Sequence, residues 1–306
     1  CLLCAMLQWQ LDAPGDQLSG SGIDGEPVAG STAGWRATAW TPPIASVRKQ
    51  PVNYQMTTFG TISSIKPDNP NSWAGRIFLT FDMDWAHDDV IADTIDLLEV
   101  ADVPATWFVT HNTPILARLR RNPKFELGIH PNFNKLLTGN SSSSAQDIVE
   151  RLMNIVPEAK SIRCHSMTQS SGLLDIFVAA GLTHDVNHFI PVSVGTELRP
   201  WVLWNDLIRI PYFWEDDIAC ICESKGREEP SVKDAAKTGN GIKVFDFHPI
   251  HIFLNTENLQ RYEQTRNIHQ NPQALIQHRF PGAGVRTKLL DLLNALKADS
   301  LNRTIN

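Results

Sequence analysis

Two carboxylates one residue apart, Asp82 and Asp84, close the apolar run RIFLTFDMD at residues 76–84. If that run is a strand, its side chains alternate, so Thr80, Asp82 and Asp84 share one face while Ile77, Leu79 and Phe81 share the other. Like charges this close repel unless a cation or a proton lies between them. A metal ligand beside a general base accounts for such a pair. The competing reading is a cap for the next helix, but Asp88 and Asp89 stand ready for that role.

Other runs carry single groups of the same kind. FELGIH sets Glu126, Gly128 and His130 on one face before Pro131 ends the run. A lone His before Pro is, by itself, more often a surface or capping residue than a ligand. SIRCHSM sets Arg163 and His165 together; a buried Arg needs an anionic partner, and the acids of the first run are candidates. In GIKVFDFHPIHIF, Val244, Asp246 and His248 share a face opposite Phe245 and Phe247, with His251 following in a turn-like HPIH. Carboxylates, imidazoles and a guanidinium at the ends of several strands together point to metal-assisted or acid–base chemistry.

The elements that must hold these groups alternate between strand and helix from Arg76 onward. After the first strand, DDVIADTIDLLEVA has apolar residues at helical spacing. ATWFVT reads as a strand, and PILARLRR as a short helix opened by Pro114. SAQDIVERLMNIV is an amphipathic helix with serines before it to cap it, and GLLDIFVAAG a helix closed by Gly181. SIRCHSM, LTHDV, LIRIPYF and GIKVFDFHPIHIF add strands, and VRTKLLDLLNALKA is a closing helix. Such alternation predicts a parallel sheet or barrel with its functional residues at the carboxyl ends of the strands. Residues 1–75, scattered with Gly, Ser, Pro, Ala and Thr and lacking either period, read as an irregular extension.

Composition excludes some classes. A net charge of −6 and a pI near 5.9 argue against a nucleic-acid surface, and no apolar run approaches the roughly 18–20 residues that span a bilayer. The five cysteines, at positions 1, 4, 164, 220 and 222, form no doubled ligand pattern for a zinc knuckle. A chain this large does not need disulfides. The opening CLLCAML is apolar but short and has no basic residue before it, a poor secretory signal. These features predict a soluble, cytoplasmic protein and leave its oligomeric state open.

Taken in order, TFDMD, ELGIHPNFN, RCHS, RIPYFWEDD and FDFHPIH resemble the successive motifs of NodB-type polysaccharide deacetylases (carbohydrate esterase family 4). Within that family they look most like the WbmS-type branch associated with bacterial surface polysaccharides. The resemblance covers roughly residues 76–298 and rests on motif order. It implies a distorted (β/α) barrel of the NodB type, with residues 76–306 as the catalytic domain. It also implies metal-dependent hydrolysis of an N-acetyl group on a sugar of a surface polysaccharide or its precursor. Asp82 matches the family's catalytic base, Asp84 a metal ligand with one residue inserted before it, and Arg163 the arginine that orients the base. His248 matches the catalytic acid. His130 matches the first of two ligand histidines, but Asn134 stands where the second belongs, and a neutral amide is a poor ligand beside imidazole. His165 is the substitute, giving Asp84, His130 and His165 as the expected holders of a divalent ion, zinc first, with Asn134 left as a substrate or weak contact. Trp214 and Asp216 of the WEDD stretch match pocket-lining and acid-supporting residues and are expected, from the resemblance, to contact the substrate. Two other readings fit the same residues: a hydrolase of another small C–N amide, and a non-catalytic relative that holds glycan on Trp85, Trp107, Trp201 and Trp214.

Overall fold

The computed structural model describes residues 59–227, 230–237 and 239–304, with side chains as far as 294. Ten strands form one sheet. In chain order they are β1 (Phe59–Gly60), β2 (Ile77–Asp82), β3 (Ala105–Val109), β4 (Phe125–Ile129), β5 (Ser161–Ile162), β6 (His184–Phe189), β7 (Trp201–Val202), β8 (Ile208–Tyr212), β9 (Trp214–Glu215) and β10 (Lys243–Phe247). Across the sheet the order is β7-β8-β6-β5-β4-β3-β2-β10-β9, with β1 beside β2, and only the β7–β8 pairing is antiparallel. β8 runs into β9 across the single residue Phe213; β8 pairs with β6 while β9 pairs with β10. One stretch of chain therefore reaches both ends of the path, and the sheet curls into the distorted (β/α) barrel of the NodB type.

Helices follow the strands because apolar residues recur at helical spacing between them. They include α1 (Asp88–Ala101), α2 (Leu116–Arg121), α3 (Ala145–Ile155), α4 (Ser171–Ala179), α5 (Asp216–Ser224), α6 (Pro249–Leu254) and α7 (Val285–Thr304), with further helices at Val232–Lys237 and Leu259–Thr265 and single turns elsewhere. No helix of the described residues is long and apolar enough to cross a membrane. All six residues of β2 are buried, as expected of a parallel strand covered on both faces. One face carries Phe81, stacked on Trp107 at 4.7 Å and on Phe247 at 5.9 Å. The other face gathers the polar groups, since register sets Asp246 opposite Thr80, and Asp82 opposite Phe108. Gly128 is required in β4: a Cβ there would lie 2.6 Å from Ser161 Oγ and 2.8 Å from a Phe108 ring carbon.

Several boundaries differ from expectation. The segment 59–75 is not extension: β1 pairs with β2, and Ile62, Ile65 and Trp73 are buried in the main core. The rest of the expected extension, residues 1–58, lies outside the described residues. α1 is capped by His87, whose Nδ1 accepts from Asp89 N–H, so Asp88 and Asp89 occupy the first turn, where they favour the helix dipole. Pro114 does not open α2, which begins at Leu116 with Ile115 as its cap. SIRCHSM is strand only at Ser161–Ile162, and His165–Met167 is a turn of 3-10 helix. In GIKVFDFHPIHIF the strand stops at Phe247; His248 caps α6, with Pro249 at its first position.

Candidate active site

The carboxyl ends of β2, β4, β5 and β10 converge on one buried polar cluster. Asp82 ends β2, and the chain then turns through left-handed backbone at Asp84 (φ 40°) and Trp85 (φ 55°). Such φ values are costly for residues with a Cβ. Met83 N–H to Phe108 O (3.1 Å) and Trp85 N–H to Thr110 Oγ1 (3.2 Å) hold the turn. Strand alternation therefore does not aim Asp84; this turn does. It brings Asp84 Oδ1 to 3.2 Å from His130 Nε2 and 3.1 Å from His165 Nδ1, with those two nitrogens 3.4 Å apart. All three side chains are shielded from solvent, Asp84 least, at 15% side-chain exposure. Burial alone would raise the Asp84 pKa. Hydrogen bonds to His130 and His165, with the positive potential of His165 and His248, outweigh it and hold Asp84 well below the usual carboxylate range.

These three atoms fit a divalent ion. With ligand bonds of about 2.0–2.1 Å, a tetrahedral ion sets neighbouring donor atoms roughly 3.3–3.4 Å apart, close to the three separations here. Two imidazoles and a carboxylate suit zinc and its neighbours in the transition series. Three further groupings of buried or half-buried acids and histidines occur among the described residues, drawn from Asp82, Asp246, His248, Glu215, Asp216, Asp217 and His251. Their groups are engaged with one another or with Arg163.

Arg163 organises the first of those groupings. Its Nη1 donates to Thr80 Oγ1 (2.8 Å), to Asp82 Oδ1 (3.1 Å) and to Asp246 Oδ1. The guanidinium lies between the rings of Phe108 and Tyr212, at 4.7 and 4.6 Å from their centroids. Burial raises the Asp246 pKa well above the ordinary value despite the Arg163 charge, and Asp82 adds to the shift. Asp82 turns its other oxygen towards His130 Nδ1, 3.5 Å away, an approach that is not a formed hydrogen bond.

Across the centre, His248 Nε2 lies 3.7 Å from Asp84 Oδ2. Its Nδ1 is 2.7 Å from Asp216 Oδ1, and its backbone N–H donates to Asp216 Oδ2 at 2.7 Å. Burial would lower the His248 pKa, but the charges of Asp216 and Asp217 carry it well above the usual imidazole value. Asp217 pairs in turn with His251 Nε2 at 2.6 Å. Glu215, whose Oε2 accepts from the Tyr212 hydroxyl, is pushed up to about 8 by burial and the Asp217 charge.

The expected site residues therefore divide. Asp82, Asp84, His130, Arg163, His165 and His248 meet in one cluster. Asp216 touches His248 with both oxygens and is fully buried, which corrects its assignment as a substrate contact. Trp214, expected to line the pocket, is only 3% exposed. Its register opposite Phe245 turns the ring to the other face, against Phe247 at 4.8 Å. Asn134 donates to Ser166 Oγ at 3.0 Å rather than facing Asp84. Sequence reasoning missed the Asp246–Arg163 pair and the Asp217–His251 pair. The placement of Asp246 on the His248 face of its strand was the one available signal.

A family model described as "WbmS-like: Polysaccharide deacetylase" matches residues 79–266. No curated protein sequence matches. Among solved structures, one from Bordetella bronchiseptica is 49% identical with a TM-score of 0.73, and the match covers 77% of this chain and 97% of that one. It is described as a candidate polysaccharide deacetylase, WbmS, involved in O-antigen biosynthesis. A candidate polysaccharide deacetylase from Mycobacterium smegmatis is 16% identical with a TM-score of 0.42, over 73% of this chain and 91% of that one. A family 4 carbohydrate esterase from Streptomyces lividans, in complex with acetate, is 11% identical with a TM-score of 0.39, over 73% and 88%. With the family model spanning more than half of the chain and the Bordetella structure nearly half identical to it, this chain belongs to the WbmS-like polysaccharide deacetylases.

Proposed function

We propose that this chain hydrolyses the N-acetyl group of an amino sugar in a surface polysaccharide or its precursor, and that the reaction depends on a divalent metal ion, zinc first. The observation that carries the reading is the flanking of one donor triad by a base and an acid. Asp82 lies beside His130 at 3.5 Å, and His248 lies beside Asp84 at 3.7 Å. Asp84, His130 and His165 would hold the ion. When bound, the ion would polarise the amide carbonyl and make a water molecule more acidic.

The chain's own groups supply the rest. Asp82 accepts the proton of the attacking water, with Arg163 fixing its orientation through Oδ1. As the water oxygen bonds to the carbonyl carbon and the C–N bond breaks, His248 gives its proton to the departing nitrogen. Acetate and the free amine result. Asp216 keeps His248 charged and oriented for that transfer. The description of the Bordetella relative as involved in O-antigen biosynthesis supports a bacterial surface sugar as substrate. We further infer that residues 76–306, with the packed segment 59–75, make up the catalytic domain. The free thiols Cys164 and Cys220, both buried, suit a cytoplasmic setting.

The test is acetate release from a panel of N-acetylhexosamines, N-acetylated hexosaminuronates and their oligomers, before and after chelation. Release that stops on chelation and returns with zinc is the expected result. No release from any of them by fully metal-loaded protein would rule the reading out.

A further inference from the structure

A large apolar side chain, that of Trp85, stands against the buried polar centre. Trp85 is 39% exposed, and its ring meets the edge of His165 at a centroid distance of 5.3 Å and an angle of 80°. Trp107 is fully buried and Trp214 nearly so, while the exposed Trp201 meets His188 rather than a residue of the donor triad. Single exposed apolar side chains are ordinary on a protein surface; what distinguishes Trp85 is that its exposed ring touches His165 of the donor triad.

Its backbone is held in place from three directions. The Trp85 N–H donates to Thr110 Oγ1 at 3.2 Å, its carbonyl accepts from Gln270 Nε2 at 2.9 Å, and Ala86 N–H closes the turn on Met83 O at 2.9 Å. The left-handed backbone at Asp84 and Trp85 thus fixes two directions at once. It sends the Asp84 carboxylate inward to His130 and His165, and leaves the next side chain outside against His165. A ring coupled this closely to Asp84 keeps a set distance from whatever carbonyl the centre receives.

We propose that Trp85 is the platform for the sugar ring of the residue being deacetylated, its indole stacking on the apolar C–H face of the pyranose. This inference rests on the reading of the site as an amide hydrolase acting on amino sugars. The chemistry selects a pyranose because the ring carbon is bonded directly to the nitrogen that leaves, so the sugar must lie next to the cluster. A flat, rigid, partly wet indole binds such a face at small entropic cost. Trp85 touches substrate and sets specificity, and it takes no part in proton transfer.

The experiment compares Trp85→Ala and Trp85→Phe with wild type in three readouts: metal per chain, thermal midpoint, and steady-state kinetics on the best substrate of the N-acetyl sugar panel. Acyclic N-acetylethanolamine, which has the same amide but no ring face, serves as control. The platform predicts that Trp85→Ala keeps the ion and raises KM about 10- to 100-fold on the sugar, the scale expected when one aromatic contact is lost. Turnover of N-acetylethanolamine falls far less than that of the sugar, and Trp85→Phe retains most of the sugar affinity. Wild-type deacetylation with an unchanged KM in Trp85→Ala overturns the platform and leaves the proposed function standing. An equal loss on sugar and acyclic amide also overturns it, since that pattern reports damage to the centre. Absence of both binding and acetate release with every N-acetyl sugar in wild type overturns both readings.

Discussion

Asp216 grips His248 twice, with Oδ1 at 2.7 Å from the ring Nδ1 and Oδ2 at 2.7 Å from the backbone N–H. The ring can neither tilt nor slide along the chain without losing one of these contacts. Its Nε2 is left aimed at the centre, 3.7 Å from Asp84. The same carboxylate is the leading cause of the raised His248 proton affinity, opposing burial.

Asp216→Asn therefore narrows the pH range of activity from the alkaline side. The raised pKa means that His248 keeps its proton to higher pH than a free imidazole and loses it as pH climbs through the folded-state value. Removing the carboxylate charge lowers that value, so the alkaline limb of kcat/KM moves down while the acid limb stays. The stability linked to the protonated ring follows the same sign. It is fully present below the unfolded imidazole pKa and lost as pH rises through the folded one. A pH–rate profile of the variant checks this, and an unmoved alkaline limb would mean that another group is the acid.

Asp82 and Asp84 should separate cleanly by what they hold. Asp82→Asn keeps the shape and hydrogen bonding at the end of β2, so the ion stays while turnover falls by about 10²–10⁴, the usual cost of a positioned base. Asp84→Ala removes the atom shared by His130 and His165, so both ion and turnover go. Elemental analysis beside an acetate-release assay reads the two quantities. Equal metal retention in both variants would contradict these roles.

Much of the site is legible in the amino-acid sequence. β2, α1 and the closing helix follow from uninterrupted periodicity, and Asp82, His130, Arg163 and His248 mark strand ends because polar groups break apolar runs there. What was not legible depends on backbone that periodicity does not encode. Asp84 reaches the histidines through a left-handed turn, and His165 through a 3-10 turn after a two-residue strand. Alternation along longer strands gave the right neighbours for a different reason. Trp214 was misread because a two-residue strand, β9, carries no pattern to say which face it shows. Segment 59–75 looks loose in composition, yet Ile62, Ile65 and Trp73 are spaced to pack without any regular period.

Arg163 bears on the stability of the fold as well as on the orientation of Asp82. It is the cation facing Asp82 and Asp246, and all three are buried. Arg163→Met removes the cation from a buried site holding Asp82 and Asp246, which should cost about 3–5 kcal/mol of stability at neutral pH. The Asp246 pKa is already raised, by burial first, so its folded form favours the proton and stability falls as pH rises through that window. Losing Arg163 extends the window upward. Urea unfolding should therefore show a larger deficit at pH 8 than at pH 5, and an equal deficit at both would argue against uncompensated charge as its source.

Asn134 and His165 make the last distinction, between a group that holds the ion and a group that holds its ligand. Asn134 Nδ2 donates to Ser166 Oγ at 3.0 Å, and Ser166 sits at φ 64°, in the turn that presents His165. The amide thus steadies a strained residue directly after the imidazole, and His165 itself contributes Nδ1 to the donor triad. Substituting an outer group of this kind typically weakens metal affinity about 10–100-fold without removing the ion. Asn134→Ala should then retain about one ion per chain at saturating zinc, with the weaker affinity appearing only in competition against a chelator. His165→Ala should retain almost none under the same conditions, because a carboxylate and one imidazole are too few donors for a tight site. The reverse pattern, with the ion lost in Asn134→Ala and kept in His165→Ala, would move Asn134 into the coordination shell and leave His165 as its neighbour.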